Sequence, residues 1–138
     1  MDIAILMSTY NGGNFLQEQL NSIINQSFKD WILYIRDDGS TDDTIRIINE
    51  YTIRDSRIKL LNDAITHRGC RNSFLWLLQN VNADYYFFAD QDDVWLDDKV
   101  EYSLAALESM HNSLPCVVAT DLQLVYRELN IIAPSMWE

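Results

Sequence analysis

Apolar residues come in short unbroken runs, and longer stretches with apolar residues every three or four positions lie between them. The first run, residues 1–8, is continuous rather than alternating, as in a parallel strand buried on both faces. A Thr9-Tyr10-Asn11-Gly12-Gly13 turn follows. Asn14 is placed to cap a helix over 14–27, whose Phe15, Leu16, Leu20, Ile23 and Ile24 share one face. A second strand is predicted at 31–36. The next helix starts at Ser40 or Thr41, with Asp42 and Asp43 in its first turn, where the helix dipole favours negative charge. Ile45, Ile48, Tyr51 and Thr52 give it a buried face. The pattern continues with a short strand at 57–61, a polar loop at 62–69, and a helix at 71–80 that carries Phe74, Leu75, Leu77 and Leu78. A fourth strand falls at 85–89, a helix at 97–112, a long last strand at 116–126, and a turn near Asn130.

Strand and helix therefore alternate, which predicts an α/β fold with a mostly parallel sheet flanked by helices. The 138 residues suffice for one domain with one core, and no repeat or linker divides them. With 48% hydrophobic and 22% charged residues, the chain has the composition of a folded domain rather than a disordered one. No apolar run approaches the roughly 18–20 residues of a membrane span, and the start does not resemble a signal peptide. A cytoplasmic protein is expected. Cys70 and Cys116 lack metal-type spacing, so neither zinc nor a disulfide is expected, and both read as small semi-buried residues.

The net charge is −11, which excludes nucleic acid as a natural partner because nothing offsets phosphate repulsion. The acidity is clustered at Asp37-Asp38, Asp42-Asp43, Asp90-Gln91-Asp92-Asp93 and Asp97-Asp98. Clustered carboxylates repel unless a cation or hydrogen bonds relieve them. In open parallel sheets, ligands bind outside the carboxyl ends of the strands. Three polar clusters fall at such ends: Ser8-Thr9-Tyr10-Asn11, Asp37-Asp38-Gly39-Ser40 and Asp90-Gln91-Asp92-Asp93. Hard divalent cations take carboxylate oxygens and keep positions open for substrate phosphates, so the last cluster is a candidate metal site. Tyr10 can pack beside a nucleobase and the Thr9 hydroxyl can bond it. Arg68 and Arg71, near a helix start, are candidate phosphate contacts. His67 in the same loop could join them, but a lone histidine in a polar loop is more often just exposed, and His111 reads as a complement to a helix dipole. Trp95 and Leu96 read as a packing pair behind the acidic loop. Neither a dinucleotide-binding glycine fingerprint nor a Walker motif occurs.

Taken with Gln26-Ser27-Phe28, Asp37-Asp38-Gly39-Ser40-Thr41-Asp42 and Asp90-Gln91-Asp92-Asp93-Val94-Trp95, the Ser8-Thr9-Tyr10-Asn11 motif resembles inverting glycosyltransferase family 2, with the GT-A fold. The motifs span residues 3–100 in the family's order. The Asp-Gln-Asp-Asp-Val-Trp form is similar to the bacterial branch that builds surface polysaccharides, in which rhamnosyltransferases are prominent. The resemblance implies a UDP- or dTDP-sugar donor, a saccharide or lipid-linked acceptor, and Mn2+ or Mg2+. Thr9, Tyr10 and Asn11 would line the nucleobase site. Asp38 would contact the base, with Asp37 close by. Asp90 would contact ribose or sugar, with Gln91 beside it. Asp92 would be the principal metal ligand, with Asp93 second, and Arg68 and Arg71 would touch the donor. It also implies a second half that forms the acceptor site and supplies the general base, expected beyond Glu138. Residues 1–138 are then the nucleotide-sugar-binding part. A non-catalytic nucleotide-sugar-binding module is the alternative. A phosphoacceptor receiver domain requires its acidic pair after the first strand, where this chain has Thr9-Tyr10, and Asp121 reads as a strand-end residue rather than a base.

Overall fold

The computed structural model describes residues 1–110 and 114–137. They form two compact units, Met1–Lys99 and Val100–Glu138. The first holds a four-stranded, wholly parallel sheet in the order β3-β2-β1-β4. Its strands are β1 (Ile3–Thr9), β2 (Ile32–Asp37), β3 (Ile58–Leu61) and β4 (Tyr85–Ala89). The helices are α1 (Leu16–Ile24), α2 (Thr44–Arg54) and α3 (Cys70–Asn80).

Connection handedness distributes these helices. Crossovers between parallel strands are right-handed, so the face on which a helix lies depends on the direction in which the chain advances. The chain moves one way from β1 to β2 to β3, which puts α1 and α2 on one face. It then returns past β1 to β4, which puts α3 on the other. Side chains agree with this. Ala4 and Leu6 of β1 pack with Leu77 and Val81, while Tyr34 and Tyr86 border the same cluster. The opposite face of β1 presents Ile3, Ile5 and Met7, all buried. On that side α1 buries Leu16, Leu20 and Ile23, and α2 buries Ile47, Ile48 and Tyr51. The Tyr51 hydroxyl donates to Asn21 Oδ1 at 2.7 Å and ties the two helices together.

The predicted elements recur with shifted ends. Asn14 does not cap α1. Phe15 holds the cap position without a side-chain bond, and the Phe15 and Leu16 amides both donate to the Gly12 carbonyl. Ser40 and Thr41 do not start α2. It begins at Thr44, whose amide donates to Asp42 Oδ1 at 3.0 Å, because Ser40 turns back onto Asp37. Ile47 rather than Ile45 lies in the buried stripe of α2, and Leu75 of α3 is exposed. Both cysteines are exposed rather than semi-buried, since Cys70 opens α3 at the surface and Cys116 lies in irregular chain.

The second unit departs most from expectation. Its helix is α4 (Lys99–Glu108). His111 and the expected helix end at residue 112 lie outside the described residues. The long strand expected at 116–126 reduces to β5 (Leu124–Val125), paired antiparallel with β6 (Ile131–Ala133) through a turn at 126–130. Strand-like residues are not enough to make a strand. They need a neighbour to complete the ladder, and Val117 and Leu122 are exposed instead. Asp121 accordingly ends no strand, and its carboxylate accepts the Leu122 and Met136 amides. Among the described residues, no helix is long and apolar enough to cross a membrane.

Leu6 is fully buried at the centre of the sheet. Leu6→Ala is expected to cost about 2–5 kcal/mol of unfolding free energy, measured by urea titration. A loss below about 1 kcal/mol would mean that α3 does not seal this face.

Candidate functional site

The direction of chain advance reverses between β1 and β4. Loops leaving the carboxyl ends of these two adjacent strands run side by side, and the gap between them lies at the edge where ligands bind in an open parallel sheet. The loop after β1 carries Tyr10 and Asn11, and the loop after β4 carries residues 90–98. A reciprocal pair joins them across the gap. Gln91 Oε1 accepts the Tyr10 amide at 2.9 Å and Gln91 Nε2 donates to the Tyr10 carbonyl at 3.1 Å. Gly12 makes the approach possible, because a Cβ there would overlap the Gln91 amide.

Helix α1 supports the acidic loop from behind. Gln19 Nε2 donates to the Asp90 carbonyl at 2.8 Å, Ser22 Oγ accepts the Trp95 amide at 3.0 Å, and Gln26 Nε2 donates to the Leu96 carbonyl at 2.7 Å. Trp95 is buried against Phe87, as expected of a packing residue, whereas Leu96 is exposed. Held this way, the loop presents Asp90 and Asp92 to solvent and keeps Asp93 half-buried. Burial pushes the Asp93 carboxyl up, and the charges of Asp90 and Asp92 push it further, while Lys99 draws it down. Burial likewise pushes the Lys99 ammonium down, and Asp93 opposes that. The acidic side chains are thus close enough to feel one another. Among the described residues, no three His, Cys, Asp or Glu side chains form a ready metal cage. Exposed Asp92, with half-buried Asp93 beside it, offers the one or two carboxylates that suit a hard cation whose remaining positions are filled by diphosphate oxygens.

Several predicted ligand contacts have a different place. Thr9 is buried, and its hydroxyl donates to Asp37 Oδ1 at 2.7 Å rather than facing the crevice. Asp37 also accepts the Gly39 and Ser40 amides and the Ser40 hydroxyl, so it organises its own turn. Asn11 is in the left-handed region at φ 47, with its Oδ1 accepting the Thr41 amide at 2.8 Å. Asp38 is buried. Its carboxylate accepts Arg36 Nη1 at 2.8 Å, the Arg68 amide at 2.9 Å and the Gly69 amide at 2.8 Å. Arg68 reaches Asp63 at 2.7 Å, which leaves its guanidinium a loop tie rather than a free clamp. Tyr10, Asn11 and Arg71 are the exposed members of the set, with Asp90 and Asp92.

Sequence reading missed the centre of this arrangement. Arg36 is fully buried, with Nη1 on Asp38 and Ser73 Oγ and Nη2 on Asp63 at 3.1 Å and on the Ile65 carbonyl. The available signal was one charged residue inside an apolar strand. A second signal was the row Gln19, Ser22 and Gln26, polar residues at helical spacing beside an apolar stripe, all of them buried.

The sequence profile of glycosyl transferase family 2 matches residues 4–130. The chain belongs to this family. It is 39% identical over 105 residues to a dTDP-rhamnosyl transferase, RfbG, of Shigella flexneri, an alignment that covers 73% of the chain and 36% of RfbG. Solved structures with the same fold include TarS residues 1–349 of S. aureus in complex with UDP-GlcNAc, at TM-score 0.71 and 20% identity over 91% of this chain and 40% of that one. A mannosyltransferase of Pyrobaculum calidifontis in complex with GDP-Man and Mn2+ aligns at TM-score 0.68 and 19% identity, over 74% of this chain and 31% of that one. The chain spans less than half the length of the curated family relatives it matches. The GT-A fold expected from the motifs is therefore present, as a mostly parallel sheet flanked by helices.

Burial raises the Asp38 carboxyl, but the bonds from Arg36 and from the Arg68 and Gly69 amides outweigh it and hold the group below its ordinary range. A depressed carboxylate stabilises the fold above its ordinary pKa, and that contribution is lost as pH falls through the depressed value. Asp38→Asn should therefore flatten the acid limb of stability below about pH 4. Urea unfolding at about pH 3 and about pH 6 checks this. Equal pH dependence in the variant and the wild type would contradict the assignment.

Proposed function

We propose that this chain is the nucleotide-sugar-binding part of an inverting glycosyltransferase of bacterial surface polysaccharide synthesis. The donor is a UDP- or dTDP-sugar and the acceptor a saccharide or a lipid-linked saccharide, reached at the cytoplasmic side of the membrane. One observation carries the reading. The Asp90 and Asp92 carboxylates are exposed at the start of a loop that is bonded down by Gln19, Ser22, Gln26 and Gln91, at the carboxyl end of β4. Such a loop holds charge at a fixed place, which is what a metal–diphosphate site needs. The name of the rhamnosyl relative supports a deoxysugar nucleotide, and the UDP-GlcNAc and Mn2+ in the solved structures of the same fold support a nucleotide donor with a divalent ion.

In this reading Asp92, with Asp93 beside it, holds Mn2+ or Mg2+, and Asp90 contacts the ribose or the sugar. The chemistry such an ion supplies is neutralisation of charge on the departing diphosphate. Tyr10 offers its ring to the base. Arg71, exposed in the first turn of α3, offers its guanidinium to a phosphate at the positive end of the helix. Asp37, Asp38, Thr9, Asn11, Gln91 and Arg68 hold the backbone that positions these groups. Inversion requires a carboxylate that takes the acceptor's proton as its oxygen attacks the anomeric carbon. No residue described here is assigned that role.

Calorimetric titration with UDP and with dTDP, with and without Mn2+, tests the reading on wild type and Asp92→Ala. At least one nucleotide should bind with Mn2+, and about tenfold or more of that affinity should vanish in Asp92→Ala, as for loss of a metal ligand. Binding that ignores both the metal and Asp92 would remove the acidic loop from the donor site. Donor bound but no sugar transferred to any acceptor would favour a binding module over an enzyme.

A further inference from the structure

The 62–69 loop is held more firmly than a surface connection requires. Three successive amides end on one residue: His67 N–H donates to the Asp38 carbonyl at 3.0 Å, and Arg68 and Gly69 N–H donate to its carboxylate. Asp38 is in turn paired with buried Arg36, which also binds Asp63 and the Ile65 carbonyl of the same loop. The loop takes positive φ at Ala64, His67 and Gly69, a costly conformation for the two that are not glycine. Gly39, at φ +96, lets it come close, because a Cβ there would stand 2.8 Å from Thr66 Cβ and 3.3 Å from His67 Cε1.

The visible product of this bracing is exposed. The His67 ring lies 5.8 Å from the Tyr10 ring at 67°, an edge-to-face pair, and Tyr10 is 47% exposed. Both backbones are fixed, His67 by Asp38 and Tyr10 by Gln91. Gln91 stands between Asp90 and Asp92, so the aromatic corner and the carboxylates share one edge of the sheet. Strain held by a buried ionic network to keep an imidazole at the surface adds little to the core. It does prepare a surface for a flat ligand.

We propose that His67 is a donor-contacting residue, forming with Tyr10 an aromatic corner that takes the planar heterocycle of the donor nucleotide. The inference rests on the donor-site reading given above and adds a residue to it. Arg36 and Asp38 are its positioning residues, acting through the loop backbone.

Two variants separate the ring from the backbone. His67→Asn removes the ring but keeps a residue that tolerates positive φ, and His67→Phe keeps a flat ring. Each is titrated in the presence of Mn2+ with UDP, dTDP and inorganic pyrophosphate, after thermal unfolding verifies the fold. His67→Asn should weaken the better nucleotide by about tenfold, as for loss of one aromatic stacking partner, and leave pyrophosphate unchanged. His67→Phe should stay within about threefold of wild type. Nucleotide affinity unchanged in His67→Asn, or nucleotide and pyrophosphate weakened alike, would overturn the assignment while wild-type binding left the donor site standing. A wild-type protein that binds neither nucleotide would overturn both.

Discussion

The reversal of chain direction at β1 is the constraint on which the rest depends. Two right-handed crossovers carry the chain outward from β1 to β3, and a third brings it back past β1 to β4. That single return splits the helices between two faces. It also makes β1 and β4 neighbours, so the loops that leave them lie side by side at one edge. That edge, with the crevice between its two loops, follows from the strand order, before any side chain is considered. The tyrosine turn, the acidic loop and the loop after β3 reach one edge because parallel strands all end at the same side.

Around that crevice, polar residues divide into supports and presented groups. A buried carboxylate without partners is costly, and Asp37 and Asp38 meet that demand with backbone amides, hydroxyls and Arg36. Their bonds fix the turn after β2 and the 62–69 loop. Gln91 and Gln19 do the same for the backbone on either side of the gap. Asp90 and Asp92, by contrast, stay in water and keep their charge available. Asp93 is the intermediate case, half-buried beside two like charges with a half-buried lysine as partner. The site therefore concentrates negative charge on a rigid loop, which a cation and a diphosphate relieve together.

Buried Arg36 illustrates why such scaffolds persist. An apolar residue in its place would avoid the desolvation of a guanidinium. It would also leave Asp38 without a cation and Asp63 with Arg68 alone, and take fixed points from the loop. The ionic cluster joins β2, the loop after β3 and Ser73 of α3 into one piece. It ties together elements that are distant in sequence, and its benefit is the geometry of the edge it braces.

The sequence by itself determined the alternating elements, the parallel sheet and the edge at which chemistry sits. Continuous apolar runs, helical stripes and polar strand ends depend on local periodicity, and periodicity survives in a linear reading. Tertiary structure decided which polar residues are bonded within the fold and which are exposed at the edge. Thr9, Asp38 and Gln91 have the side chains of ligand contacts, yet each is taken up by a partner between 28 and 81 positions away. The strand expected at 116–126 failed for a related reason, because a ladder needs a neighbour that no single segment can supply. Arg36 escaped notice because its role comes from contacts across strands and loops. Hydrogen-bond partners and exposure are properties of the folded edge, and only folding brings together the residues that define them.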